Sequence, residues 1–426
     1  MKRLLLLMTT ATYRAGAFLQ AADKLGLRVV VGSDRPQILA GFNPAAHLTL
    51  DFDRLEESAQ AVVQFAARSP FAAIIAADDD GVELAAAASS ALRLPHNSLA
   101  SVRAARDKHT MRERLAAAGI ASPPFRLVGL DEDSAALAAS LAEPAAGALG
   151  FPCVVKPVGL AASRGVIRAD TPDQLVTALQ RVSEILRLSG STARSTIDPR
   201  RILIEGYIPG EEVAVEGLVT DGRLRVLAVY DKPDPLVGPF FEETIYVTPS
   251  RKPSAVLAAV EACVGRVTAA LGLTRGPVHA EVRCNEDGAW IIEIAPRSIG
   301  GLCSRTLRFR SGATLEEILL RHALGQDMGA DAREETAAGV MMIPIPRRGI
   351  LTHVTGREEA ARLPGIVDIR LTIPFGQEVI PPPEGDRYLG FIFARAKAPA
   401  EVEAALRAAH GRLVFEIRQR SATETG

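Results

Sequence analysis

Short apolar runs at residues 4–8, 28–32 and 72–76 are separated by alanine-rich stretches at residues 15–25 and 55–67, and this alternation constrains the fold more than any other feature. The runs have the length of buried strands and the stretches between them the length of helices. Strands that alternate with helices return in one direction, which predicts a parallel sheet covered on both faces. Residues 1–100 therefore read as a Rossmann-like domain. They lack the Gly-x-Gly-x-x-Gly turn of a dinucleotide binder, so the likeness stops at topology. The opening MKRLLLLM has only a superficial signal-peptide look, because its apolar run covers residues 4–8 and Tyr13 and Arg14 soon interrupt it.

The stretch 98–118 predicts one or two helices, ended by Gly119 and then by Ser122-Pro123-Pro124, which cannot continue a helix. Residues 101–217 are expected to hold these linker helices and a small lid, with strands at 125–128, 153–156, 202–205 and 213–218 and helices at 134–142 and 172–188. The polar stretch 189–200 reads as a surface loop. Residues 218–335 repeat the alternation in a larger lobe, with strands at 223–230, 278–284 and 290–294 and a helix at 255–271. Residues 336–426 are expected to close a small α+β unit, with strands within 341–346, 366–373, 388–396 and 412–417 and a helix at 398–409.

At 426 residues the chain is long enough for two to four packed units, at roughly 100–200 residues each. Its 49 basic and 50 acidic residues give no net field that would draw it to nucleic acid or anionic lipid. Small molecules are the expected partners. The four cysteines, Cys153, Cys263, Cys284 and Cys303, form no Cys-x-x-Cys pair, which fits a reducing cytoplasm better than a zinc or redox site. No stretch approaches the roughly 20 apolar residues of a membrane span.

Three segments carry chemistry. In FPCVVKPVGLAASRGV, residues 151–166, a buried strand ends in Lys156 and runs into a loop with Gly159, Ser163, Arg164 and Gly165. Small residues let backbone amides approach phosphate oxygens, and the lysine adds a point charge. The loop is not a Walker motif, and a hairpin turn with an exposed lysine would look alike. In ILIEGYIPGEEVAVEGLV, residues 202–219, a strand leading to Glu205 and the Gly206-Tyr207-Ile208 linker could border an adenine, with a carboxylate of Glu211-Glu212 near a ribose; two solvated acids beside a turn describe the same pair.

In GPVHAEVRCNEDGAWIIEIAPRSIGGLCSR, residues 276–305, a tight turn would bring Glu281 and Glu293 side by side on neighbouring strands. Two carboxylates with phosphate oxygens make the hard oxygen shell that magnesium prefers. Arg297 would then stand where charge develops on a transferring group. A solvated pair of acids on a hairpin edge remains open.

In this order and spacing the three segments resemble the ATP-grasp superfamily, over roughly residues 98–305. The resemblance implies an α/β and α+β architecture: a Rossmann-like N-terminal domain, a two-lobed ATP-grasp domain and the small C-terminal α+β unit. It reaches upstream to Asp107-Lys108 and implies that Lys108 and Lys156 contact the α- and β-phosphates of ATP. By the same resemblance the loop from Gly159 to Gly165 closes over the γ-phosphate, Glu205, Tyr207 and Ile208 surround adenine, Glu212 meets the ribose, Glu281 and Glu293 hold Mg2+ (Mn2+ could substitute), and Arg297 stabilises an acyl phosphate. Ala295 stands where the family pattern Glu-x-Asn has its Asn, which weakens a second metal site.

The segment DKPDPLVGPFFEETIYVTPS, residues 231–250, and the C-terminal unit look similar to the L-amino-acid ligases. That likeness implies small-molecule carboxylate and amine substrates, with Glu242 and Glu243 near a substrate ammonium. An exposed acidic turn is the plainer reading of those two residues. The implied activity is an ATP-dependent amide or dipeptide synthesis that releases ADP and phosphate; a homodimer is one assembly that relatives adopt. A purine-pathway reading, of the formate-dependent glycinamide ribonucleotide transformylase or carboxyaminoimidazole type, shares the missing Asn. Against it, only Arg14 stands out in residues 1–30 as a phosphoribose contact. A non-catalytic ATP-sensing module would not need Glu281, Glu293 and Arg297 together.

Overall fold

From Leu4 to Leu7 the first strand is no more than 1% exposed, as a strand covered on both faces must be. This computed structural model describes residues 2–10, 12–36, 44–143, 148–189, 197–198, 200–326 and 331–419. The chain opens with β1 (Arg3–Met8), α1 (Ala15–Lys24), β2 (Arg28–Ser33), β3 (His47–Thr49), α2 (Leu55–Arg68), β4 (Ala73–Ala76) and α3 (Val82–Ala91). Its four strands form a parallel sheet in the order β3-β2-β1-β4. The expected alternation is present. Two elements escaped the sequence: β3 is three residues long, too short to show a period, and the alanine-serine helix α3 carries no distinct apolar stripe.

Helices α4 (Leu99–Arg106) and α5 (Lys108–Ala117) meet at Asp107, which ends the first and caps the second: its Oδ1 accepts from the Thr110 amide at 2.8 Å. The cap fixes Lys108 as the first residue of α5. The lid follows, with β5 (Phe125–Gly129), α6 (Ser134–Ala142), β6 (Cys153–Pro157), β7 (Ile167–Ala169), α7 (Pro172–Ser189) and β8 (Arg201–Gly206). Its antiparallel sheet runs β5-β8-β6-β7, with Leu137, Leu141, Leu175 and Val182 of the helices packed on Val155 and Ile204. The predicted surface loop at 189–200 lies largely outside the described residues.

The remaining elements are β9 (Glu211–Thr220), β10 (Arg223–Asp231), β11 (Ile245–Thr248), α8 (Ser254–Leu271), β12 (Gly276–Asn285), β13 (Gly288–Ala295), α9 (Leu315–Ala323), β14 (Ala337–Ile343), β15 (Gly349–Thr355), α10 (Arg357–Ala361), β16 (Ile366–Leu371), β17 (Glu378–Val379), β18 (Gly390–Ala396), α11 (Pro399–His410) and β19 (Val414–Arg418). Eight of these strands make one sheet, β13-β12-β9-β10-β11-β14-β18-β16, and β17-β15-β19 make a small second one.

Three expectations are corrected. The boundary drawn at residue 217 falls inside β9, which belongs wholly to the large sheet. The C-terminal strands β14, β18 and β16 extend that same sheet, because β11, hidden in a segment that read as a loop, joins β10 to β14. Helix α8 is, by length and composition, apolar enough to cross a membrane, contrary to the expectation of no such stretch. Its Val260, Val264, Val267 and Leu271 are instead buried against β9, β12 and β13 as a core helix.

Candidate active site

A cavity of about 490 Å³ opens where the lid, the large sheet and the turn after β4 face one another. Lys108, Lys156, Ser163, Arg164, Glu205, Tyr207, Ile208, Glu212, Glu281, Glu293 and Arg297 all line it. Gly159 and Gly165 do not, and act on the shape of the loop. Gly165 has φ +73°, and a Cβ there would lie 2.7 Å from Pro157 Cγ, so the position needs glycine. Ala162 and Ser163 also take left-handed backbone, at φ 57° and 55°. The loop is clasped from the C-terminal part of the chain: the Gly165 amide donates to the Pro383 carbonyl at 2.8 Å, and Arg164 Nε to the Glu384 carbonyl at 3.0 Å. Arg181 grips the Glu384 carboxylate at 2.5 and 3.0 Å.

At the lid end, Glu205 is 1% exposed and lies between Arg112 Nε at 2.7 Å and Lys156 Nζ at 2.5 Å. Burial alone would raise its pKa, but Arg112 and Lys156 overcome this and hold it at about 2. Both β6 and β8 are antiparallel neighbours, and Val154 faces Glu205 across them, which is how Lys156 comes within reach. Lys108 donates to the Leu160 carbonyl at 2.7 Å and pairs with Glu293 at 3.3 Å, so two lysines flank the loop. The Tyr207 amide is spent on the Pro152 carbonyl and the Ile208 carbonyl on Arg283, while Arg168 stands 4.1 Å over the Tyr207 ring.

On the large sheet, Glu281 and Glu293 face each other directly across β12 and β13, as the hairpin reading expected. A β-bulge follows, in which Val282 pairs with Ile291 and Ile292 is the extra residue. The bulge re-aims the strand so that both Ile292 and Glu293 face the cavity. Three carboxylates converge there, those of Glu212, Glu243 and Glu281, which each bring an oxygen within 4.8 Å of the others. Lys232 reaches into them: Nζ bonds Glu212 at 2.6 Å and Glu243, and lies 3.7 Å from Glu281. Arg283 Nε holds the other oxygen of Glu212 at 2.9 Å, and the Tyr246 hydroxyl donates to Glu243 at 2.6 Å.

Burial and the neighbouring carboxylates push the Glu281 pKa well up despite Lys232, while the three acids keep Lys232 protonated against its burial. Glu242 and Glu243 are therefore part of the cavity region and not an exposed turn: Glu243 lines it, and Glu242 is half-buried with a raised pKa from desolvation.

Arg297 donates from Nε to Asp79 Oδ2 at 2.9 Å and from a terminal nitrogen at 2.8 Å. Although burial opposes it, Arg297 lowers the Asp79 pKa. Arg14 is 3% exposed and donates to the Ala77 carbonyl at 2.7 Å and to Ser298 Oγ at 2.7 Å. Beneath this loop, burial lifts the Glu216 pKa to about 8; Glu216 accepts from the Ile299 amide at 2.9 Å.

Residues 149–306 match the family model described as the ATP-grasp domain, residues 19–96 that of the ATP-grasp N-terminal domain, and residues 341–418 that of the L-amino acid ligase C-terminal domain 2. The chain carries an ATP-grasp domain at residues 149–306 behind an ATP-grasp N-terminal domain. Among ATP-grasp structures, the L-amino acid ligase from Bacillus licheniformis superposes with a TM-score of 0.81, at 25% identity over 98% of this chain and 99% of that one. Dapdiamide A synthase of Enterobacter agglomerans is 28% identical over 54% of this chain and 51% of that protein. A formate-dependent phosphoribosylglycinamide formyltransferase of Delftia acidovorans is 28% identical over 70% of this chain and 69% of that protein. The chain spans about half the length of the curated amino acid ligases it matches.

Within this ATP-grasp chain the sequence reading missed Arg112, Lys232 and Asp79. Arg112 sits mid-helix in α5, where an arginine normally marks a solvated face, yet it is wholly buried. Lys232 and Asp79 lie in turns whose partners are remote in sequence. Only the Asp78-Asp79-Asp80 triplet at a strand end was a signal available beforehand.

Proposed function

We propose that this chain is a Mg2+-dependent ligase that converts a carboxylate, an amino acid, to an acyl phosphate with ATP and couples it to an amine, releasing ADP and phosphate. The observation that carries this reading is the arrangement around one cavity: two lysines at the lid, paired carboxylates across β12 and β13, and Arg297 beyond them. Lys108 and Lys156 would draw the phosphates, with the 161–165 loop over them excluding water. Glu281, Glu293 and Glu243 offer only oxygen, a donor set suited to Mg2+, and Mn2+ would substitute. The bound cation would neutralise phosphate charge. Arg297, oriented by Asp79, would stabilise the acyl phosphate and the adduct formed when the amine attacks. No enzyme nucleophile is required, and burial raises the pKa of every cysteine thiol.

Against the purine-pathway reading, the Arg14 guanidinium lines the cavity but is already engaged by the Ala77 carbonyl and Ser298 Oγ. Incubation with ATP, Mg2+ and mixed amino acids, followed by chromatography, tests the proposal. Amide products with ADP and phosphate are expected. AMP and pyrophosphate would remove the acyl-phosphate route, strict dependence on glycinamide ribonucleotide would favour the purine enzyme, and no turnover would favour a sensing module.

A further inference from the structure

We propose that Lys232 is a built-in occupant of the divalent-cation position, which keeps Mg2+ out until nucleotide arrives. The inference rests on the metal reading above and goes beyond it by assigning a residue that no motif singled out. The Lys232 side chain is 3% exposed, and its ammonium engages Glu212, Glu243 and Glu281. An ammonium and a divalent cation compete for the same oxygens, so while Nζ remains there a metal meets both blocked ligands and like charge.

The carboxylates do not depend on Lys232 for their places. Arg283 holds Glu212 at 2.9 Å, the Tyr246 hydroxyl holds Glu243 at 2.6 Å, and Glu281 is fixed by strand register opposite Glu293. A group that served only to assemble the cluster would be redundant among such supports. Lys232 also begins the turn after β10 on a long flexible stem. A triphosphate in the cavity offers that stem new negative charge, so nucleotide and cation would enter together and Lys232 would turn towards the phosphates. Metal uptake would thereby be coupled to nucleotide through this one side chain.

Mn2+ is the probe, and free Mn2+ is counted by electron paramagnetic resonance with and without a non-hydrolysable ATP analogue. Wild type should bind Mn2+ weakly alone and tightly with the analogue. Lys232→Met should bind Mn2+ at least ~10-fold more tightly than wild type without nucleotide, and Lys232→Arg should restore the exclusion. Equal nucleotide-free affinity in wild type and Lys232→Met would overturn the proposal while leaving the metal reading intact. So would wild-type protein that binds Mn2+ as tightly without the analogue as with it, a result that needs no variant and stands even if Lys232→Met fails to fold. Absence of Mn2+ binding in wild type with the analogue would overturn both.

Discussion

Two clusters of charge line the cavity, and they are built on opposite ratios. At the lid end a single buried carboxylate, Glu205, is shared by Arg112 and Lys156. In the second cluster three carboxylates share Lys232, with Arg283 behind one of them. The first is saturated with cations and keeps Glu205 at a pKa of about 2. In the second, burial and the neighbouring carboxylates push the Glu281 pKa well up, while Lys232 and Arg283 lower that of Glu212 against its burial. On the proposed function, the first cluster would hold Lys156 in place beside the phosphates, and the second would have room for a further positive charge.

The comparison breaks most visibly at Glu205. Glu205→Ala leaves Arg112 and Lys156 buried without a counter-ion and should cost about 3–5 kcal/mol in chemical denaturation. On the large sheet Glu293→Gln should reduce turnover by at least ~10²-fold with little change in melting temperature. Wild-type turnover at limiting Mg2+ would remove Glu293 from the metal site. Arg297→Lys should lose nearly as much activity as Arg297→Ala, because an ammonium cannot make the two-nitrogen contact that Asp79 and an acyl phosphate require; a fully active lysine variant would reduce the role to diffuse charge.

Acid titration sharpens the same contrast. The folded pKa of Glu205 lies below its ordinary value of 4.5, at about 2. Its contribution is therefore complete above pH 4.5 and lost as pH falls towards 2. Glu205→Gln should flatten the stability profile in that window, and an unchanged acid limb would contradict the pairing. The smallest effect is expected at Ala295, half-buried at the end of β13. Ala295→Asn should lower the Mg2+ concentration for half-maximal rate while stability changes by no more than about 0.5 kcal/mol. A less stable protein with unchanged Mg2+ dependence would mean that the side chain faces packed core.

The alternation of β1, β2 and β4 with helices was legible because each strand is apolar on both faces, and the lid was legible from Lys156 and the glycines that follow it. Glu281 and Glu293 could be paired from the turn between them. Less visible were features that depend on distant segments: β11 reads as a loop until β10 and β14 flank it, and the β9 boundary is set by pairing with β12. Arg112 and Lys232 look like surface residues because their carboxylates lie 93 and 20 positions away. Charge placed by tertiary contact leaves no period in the sequence.

The clasp on the 161–165 loop carries a consequence for biosynthesis. Pro383 and Glu384 emerge from the ribosome more than 200 residues after the loop they hold. Domains fold as they are made, at about 5–20 residues per second, so a nascent chain spends on the order of ten seconds with its lid sheet formed but its loop unclasped. During that interval the loop lacks the two contacts that hold it, and its final shape waits for the C-terminal strands.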